Sequence, residues 1–145
     1  MSSVITNAFL DTEFTNLPWR PSSSLISIGI YTEDLQSYYA CTDDFDPGSC
    51  SPFVLKSVLP NLGREPAKST PQIAAELDDF FETYKRVQFW AVFPTMEQIH
   101  TMSDLPKKSN GHHALSDAKW NFALWQKDRS EPPGVYLRPR RKVDE

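Results

Sequence analysis

Several features that would define particular protein classes are scarce or missing in this chain. It has two cysteines, Cys41 and Cys50, without a C-x-x-C pair or the spacing of a zinc site. We interpret them as reduced thiols of a cytosolic protein, while a disulfide between them stays open. Every apolar run is shorter than a membrane span, and the first residues lack the basic and apolar regions of a signal peptide. We therefore expect a cytoplasmic protein without a membrane partner.

Positive charge is also in short supply. The formal net charge is −4, which argues against binding nucleic acid over the whole surface but permits a local basic patch. Basic residues cluster at Lys107 and Lys108 and in the segment 138–142. These clusters are candidates for contacts with backbone phosphates, and the alternative is an ordinary solvated surface.

The remaining composition is that of one globular domain. With 145 residues, 39% of them hydrophobic and 23% charged, the chain is long enough for one sizeable core. It contains no internal repeat. We assign residues 1–130 to the domain and residues 131–145 to a basic C-terminal tail that we expect to be mobile.

Apolar patterning predicts an α/β domain. Runs rich in β-branched and aromatic residues predict strands at 4–10, 25–31, 36–41 and 87–92. Thr70 as N-cap and Pro71 at the first position predict the start of a helix before the fourth strand. Further helices are expected at 52–59, 94–102 and 113–127. This order predicts a mixed sheet, with three antiparallel N-terminal strands and flanking helices.

Two acids lie at the end of the first predicted strand, in the stretch Phe9-Leu10-Asp11-Thr12-Glu13-Phe14. Asp11 and Glu13 are two residues apart, so both would project from one face of a strand. Two anions held so close repel each other, and burying them is costly without a compensating partner. A hard divalent cation, which prefers oxygen ligands, would compensate them. The alternative is a strand that runs into a loop, with both acids solvated.

A second group of ionisable residues opens the last predicted helix, in Gly111-His112-His113-Ala114-Leu115-Ser116-Asp117-Ala118. Taken alone, Asp117 could be an ordinary first-turn acid, which the helix dipole favours. The two histidines could be surface residues. The interpretation changes when this motif is considered together with Asp11 and Glu13 at the other end of the chain.

Together, the two motifs resemble those of the DEDDh-type 3′→5′ exonucleases of the ribonuclease H-like fold, which include oligoribonuclease, ribonuclease T and proofreading subunits. Asp11-Thr12-Glu13 matches the D-x-E of their first strand. Residues 112–118 match the H-x-A-x-x-D-A at the start of their final helix. The resemblance covers residues 7–125, and the chain looks most like the small stand-alone bacterial or phage exoribonuclease-like proteins.

The resemblance implies a ribonuclease H-like fold and a metal-dependent enzyme that removes nucleotides from the 3′ end of single-stranded RNA or DNA, with RNA preferred. It implies two Mg²⁺ or Mn²⁺ ions, which in such sites lie about 4 Å apart and bind the attacking and leaving oxygens. By this resemblance Asp11, Glu13 and Asp117 are metal ligands. Family members are often dimers, which makes a homodimer an expectation here.

The chain departs from the family at the remaining ligand. The family has an aspartate on the helix after the fourth strand, and here the nearest acid in a suitable register is Glu97. Asp79 and Asp104 are weaker candidates. If the site lacks its fourth acid, the alternative is a catalytically impaired protein of the same fold that binds nucleic acid or a partner. A third hypothesis is an unrelated α/β protein in which both motifs are accidental.

The other predicted site residues follow from their positions beside the motifs. His112 lies five residues before Asp117, in the loop ahead of the helix, where it could act as general base toward the attacking water. His113 is expected to point elsewhere. Three residues after the first motif could line the pocket for the terminal nucleotide: Phe14, Thr15 and Leu17. Phe14 could stack on a base, or it could belong to the core.

Overall fold

The computed structural model describes residues 4–17, 20–91, 112–130 and 138–139. In these ranges the α/β class and the mixed sheet that the sequence predicted are confirmed. The strands are β1 Ile5–Phe14, β2 Leu25–Thr32, β3 Ser37–Cys41, β4 Arg86–Ala91 and β5 Arg138–Pro139. The α-helices are α1 Thr70–Phe81 and α2 Ala114–Ser130. No helix within the described ranges is both long enough and apolar enough to cross a membrane.

The strands form one sheet in the order β3-β2-β1-β4-β5. Strand β1 pairs antiparallel with β2, and β2 pairs antiparallel with β3. Strand β4 joins the other side of β1 in parallel, which makes the sheet mixed as a whole. Parallel neighbours need a crossover connection. Here the crossover is the chain between β3 and β4, which contains α1.

Strand β1 is longer than its pattern predicted. The prediction ended this strand before the D-x-E motif, but the strand continues to Phe14. Asp11 therefore has a strand partner in Gly29, and Glu13 has one in Ser27. A β-bulge follows between Glu13 and Phe14, and bulges commonly end regular pairing next to active sites. Both acids thus belong to the regular sheet, rather than to the loop that follows.

Helices α1 and α2 cover opposite faces of the sheet. On β3, the ring of Tyr38 lies 6.0 Å from that of Phe80 in α1. The next residue, Tyr39, stacks on His113 at the start of α2, with ring centroids 4.4 Å apart. Because successive strand residues point to opposite faces, the two helices lie on opposite sides of the sheet.

An aromatic cluster joins α2 to the two central strands. Phe9 of β1 is fully buried, and its ring lies 5.3 Å from Phe122 and 5.2 Å from Trp125. Tyr31 of β2 lies 5.2 Å from Phe122. Aromatic pairs at such separations contribute about 0.5–1.5 kcal/mol each beyond the burial of their surface. These contacts hold the middle of α2 along β1 and β2.

A smaller apolar cluster packs the segment after β3 against the sheet. It consists of Ile26, Cys50, Val54 and Val58. Val54 and Val58 belong to a π-helical turn within the segment predicted as a short helix. Cys41 and Cys50 are both buried free thiols, which resolves the question that the sequence left open.

The N-cap of helix α1 lies one residue earlier than predicted. The N-cap is Ser69, not Thr70, and its hydroxyl accepts a hydrogen bond from the backbone N–H of Gln72. Pro71 lies in the first turn, as predicted. Serine and threonine both suit an N-cap, so the pattern could not choose between neighbours, whereas Asp44 engages the Thr70 N–H in the structure. The helix predicted over 94–102 lies outside the described residues.

Gly29 determines how closely α2 approaches the sheet. A Cβ at this position of β2 would overlap with the backbone of Ala114 and Leu115. Ala114 and Ala118, the small residues at the start of α2, are fully buried. The helix backbone therefore rests directly on the strand backbone, at the strand position opposite Asp11.

We expect Gly29→Ala to destabilise the protein by about 1–3 kcal/mol, the usual cost of overpacking, because the added methyl must push the start of α2 away from β2. Urea unfolding followed by circular dichroism measures this loss. Gly48→Ala is the matched control, because its Cβ would meet only the flexible Asp46 side chain, at 3.2 Å. Equal free energies of unfolding for the two variants would contradict the close contact.

Candidate functional site

The structure brings three acids together where β1 meets the start of α2. They are Asp11 and Glu13 on β1 and Asp117 on α2, and one carboxylate oxygen from each lies within 4.8 Å of the others. Asp11 and Glu13 are partly buried, and Asp117 is only 8% exposed. Residues from the two ends of the sequence thus form one compact group of carboxylates.

The position of Asp117 follows from how α2 is held. Asp117 lies in the first turn of the helix, whose N-terminal end is fixed against Gly29. One turn later, the side chain of the buried Asn121 donates a hydrogen bond to the carbonyl of Leu10, at 3.4 Å. Residues four apart lie on the same side of a helix, so Asn121 keeps the side of α2 that includes Asp117 turned toward β1.

Burial and the two neighbouring acids strongly perturb the ionisation of Asp11. Burial, followed by the charges of Asp117 and Glu13, raises the pKa of Asp11 from its usual 3.8 to about 8. A hydrogen bond from the Thr12 backbone lowers this pKa, but less than the other effects raise it. Without a cation, Asp11 therefore keeps its proton at neutral pH, because burial and the neighbouring acids disfavour its charged form.

This donor set fits a hard divalent cation. All three side chains offer carboxylate oxygens, the ligands that suit Mg²⁺ and Mn²⁺. A bound cation would replace the proton on Asp11 and offset the repulsion among the carboxylates, since metal binding to such groups releases protons.

His113 has a structural role at the start of α2. Its carbonyl accepts the backbone N–H of Asp117 at 2.9 Å, and its Nδ1 accepts the N–H of Ser116 at 3.4 Å. Its ring stacks on Tyr39. His113 therefore caps the helix with both its backbone and its side chain.

His112 differs from His113 in backbone conformation, exposure and ring contact. Its backbone adopts the left-handed conformation, with a φ of 61°, which is uncommon for a residue with a Cβ. Its side chain is exposed and meets the ring of Phe53 edge-on, with centroids 5.0 Å apart. Backbone strain of this kind concentrates at functional sites, although His112 lies outside the group of three carboxylates.

The three residues predicted to line a nucleotide pocket occupy different environments. Phe14 is partly buried just after the bulge, and Leu17 is 45% exposed. Thr15 is fully buried. The Thr15 hydroxyl accepts the backbone N–H of Ser24 at 3.0 Å, and its carbonyl accepts the N–H of Ser51 at 2.9 Å. Thr15 thus anchors the chain that follows β1, and Leu17 offers an apolar surface. Contact of Phe14, Thr15 or Leu17 with a substrate stays a prediction.

The other predicted residues either lie outside the described part of the chain or lie apart from the carboxylate group. Glu97, the expected fourth ligand, lies outside the described residues, as do Asp104, Lys107 and Lys108. Asp79 is an exposed residue of α1 and is not part of the carboxylate group.

Three residues that shape the site were not among the predicted site residues. Gly29 interrupts a strand of β-branched residues, and an isolated glycine in a strand often marks a close backbone approach, so this one was detectable. Asn121 was also detectable, because it lies one helical turn after Asp117. Phe53, which is 56% exposed beside His112, had no recognisable pattern around it.

Comparison with known proteins supports an exoribonuclease family. The chain is 34% identical over 88 residues to two curated proteins of Mycobacterium tuberculosis, from strains CDC 1551/Oshkosh and ATCC 25618/H37Rv, each named 3′-5′ exoribonuclease. The match covers 57% of this chain and 51% of each relative. The chain thus spans about half the length of the curated relatives it matches. No family model matches the chain.

The raised pKa of Asp11 has a consequence for stability in the absence of metal. Between about pH 4 and pH 8 the folded state holds a proton that the unfolded chain releases, because the folded pKa is about 8 and the ordinary value is 3.8. The stability from this group is therefore fully present below about pH 4 and is lost as the pH rises toward 8. Asp11→Asn removes this titration.

In EDTA, we therefore expect the free energy of unfolding of wild type to fall relative to that of Asp11→Asn as the pH rises from 4 to 8, and to stay level above that. Urea unfolding at a series of pH values measures the difference. Asp78→Asn, an exposed change on α1, controls for the loss of one negative charge. A difference between wild type and Asp11→Asn that is the same at pH 5 and pH 8.5 would refute the prediction.

Proposed function

We propose that this protein is a divalent-metal-dependent 3′→5′ exonuclease of the DEDDh type, which hydrolyses single-stranded RNA, in preference to DNA, from its 3′ end. The convergence of Asp11, Glu13 and Asp117 within 4.8 Å is the observation on which the proposal depends. The two curated relatives, each named 3′-5′ exoribonuclease, support the substrate class. The mixed sheet, with β4 parallel to β1, supports a ribonuclease H-like fold.

In this proposal Asp11, Glu13 and Asp117 hold the cation through their carboxylate oxygens. Bound Mg²⁺ or Mn²⁺ supplies an acidified water and neutralises charge on the phosphodiester. The chain contributes a rigid arrangement of ligands, since Asp11 and Glu13 lie on a central strand and Asp117 on a helix fixed against it. Asp11 gives up its proton when the cation binds, because a carboxylate must be ionised to act as a ligand.

His112 is the proposed general base, which accepts the proton of the attacking water. Its exposed position in the left-handed turn before α2 leaves the imidazole accessible to a substrate. Phe53 and Leu17 supply exposed apolar side chains, 56% and 45% exposed. An aromatic side chain such as Phe53, beside the proposed base, is suited to stack on a nucleobase.

The direct test is to incubate 5′-labelled single-stranded RNA, and DNA of the same sequence, with the protein in Mn²⁺, Mg²⁺ or EDTA. We expect progressive shortening from the 3′ end with either metal, faster on RNA, and none in EDTA. Asp11→Asn and Asp117→Asn should abolish shortening, because a neutral amide is a poor ligand for these ions. Exposed Asp78→Asn should retain full activity.

Thermal unfolding with and without millimolar Mn²⁺ distinguishes two negative results. A ligand that binds only the folded state raises its stability by mass action. A raised melting temperature without hydrolysis would favour the alternative, a catalytically impaired protein that binds nucleic acid or a partner. An unchanged melting temperature together with intact RNA would overturn the metal site itself.

The two histidines should respond differently to substitution. His112→Ala should slow turnover by roughly two to four orders of magnitude, the usual range for a lost general base, with little change in stability. His113→Ala should cost about 1 kcal/mol of stability, as loss of a helix cap does, with a smaller effect on turnover. Turnover numbers and urea midpoints measured on both variants check the two effects. The reverse pattern would show that His112 is not the general base and that His113 is.

A further inference from the structure

Ser27 is a buried hydroxyl whose hydrogen bonding is incomplete. Its side chain is fully buried in β2, and its Oγ has no hydrogen-bond partner among the residues that the structure describes. An unsatisfied buried polar group is destabilising, and native proteins contain few of them. A serine that serves packing alone would be more favourable as alanine, so the hydroxyl calls for a functional explanation.

The position of Ser27 relates it to the carboxylate site. Ser27 lies directly opposite Glu13 in the β1–β2 pair, two residues from Gly29, which lies opposite Asp11. Residues directly opposite each other project to the same face, with Cβ atoms roughly 4.5–5.5 Å apart. The Ser27 hydroxyl is therefore on the face that α2 and the three acids share, next to the longest of the three acidic side chains.

The other strand neighbour of Ser27 does not form a hydrogen bond with its hydroxyl. On β3, Cys41 lies opposite Ser27, and its thiol donates to the hydroxyl of Tyr39 at 3.4 Å. Among the residues paired with Ser27 across the sheet, Glu13 is thus the one that offers a carboxylate. An ionised carboxylate only accepts hydrogen bonds, and a serine hydroxyl can donate one.

We propose that Ser27 is a positioning residue for Glu13. Its hydroxyl donates a hydrogen bond to one oxygen of the Glu13 carboxylate when that carboxylate binds the cation, which leaves the other oxygen for the metal. Carboxylates that bind metals are commonly held by such hydrogen bonds. The flexible glutamate side chain benefits most, because it has one more rotatable bond than the aspartates. The inference depends on the proposed metal site.

The test compares Ser27→Ala with wild type by titrating Mn²⁺ into the full chain in a calorimeter, and by thermal unfolding of the metal-free protein. We expect the dissociation constant for Mn²⁺ to rise about tenfold or more, the usual effect of removing such a partner. The melting temperature of the metal-free variant should equal or exceed that of wild type, because the substitution removes an unsatisfied hydroxyl.

Two further variants make the result specific. Ser37→Ala removes an exposed serine from β3 and should bind Mn²⁺ as wild type does. Ser27→Thr keeps the hydroxyl and should bind Mn²⁺ more tightly than Ser27→Ala.

The possible failures are distinguishable. If wild type binds Mn²⁺ and Ser27→Ala binds it equally well, Ser27 does not position Glu13, whatever happens to the melting temperature. A lowered melting temperature with an unchanged dissociation constant would make Ser27 a packing residue. If wild type itself binds no Mn²⁺, the proposed function fails, and the role of Ser27 fails with it.

Discussion

The seating of α2 on Gly29 is the contact on which the candidate site depends. Because glycine has no Cβ, the backbone at Ala114 and Leu115 can lie directly against β2. This approach places the first turn of the helix, with Asp117, beside Asp11 on the neighbouring strand. A side chain at position 29 would separate the helix from the sheet, and the third carboxylate would move away from the other two.

The price of this arrangement is electrostatic. Three carboxylates within 4.8 Å repel one another, and burial, together with the charges of Asp117 and Glu13, raises the pKa of Asp11 to about 8. The unsatisfied hydroxyl of Ser27 adds a second unfavourable feature in the same region. Unfavourable local features of this kind are typical of functional sites. The aromatic contacts that Phe9 makes with the middle of α2 stabilise the fold and offset them.

Much of the fold was predictable because strand and helix patterns follow from steric preferences within short stretches of sequence. A run of β-branched residues identified β2 and a tyrosine-containing run identified β3, both nearly to the residue, and helical spacing identified α1. The errors lie where two local signals compete. Acids are poor strand formers, so β1 was predicted to end before Asp11, whereas pairing with β2 carries it to Phe14. Likewise, the sequence pattern does not distinguish Ser69 from Thr70 as the N-cap. In the structure Ser69 is the N-cap, and the backbone N–H of Thr70 donates a hydrogen bond to Asp44.

The sequence by itself determined that Asp11 and Glu13 share one face if the strand includes both, since strand residues two apart always do, and it placed Asp117 and two histidines at the start of a helix. Only the tertiary structure decided that these acids meet, that His113 caps α2 while His112 stays exposed, and that Ser27 lies beside Glu13. The physical reason is that strand and helix periods follow from backbone sterics within a few residues. Distances between the ends of the chain depend instead on packing contacts, such as that of Gly29 with Ala114.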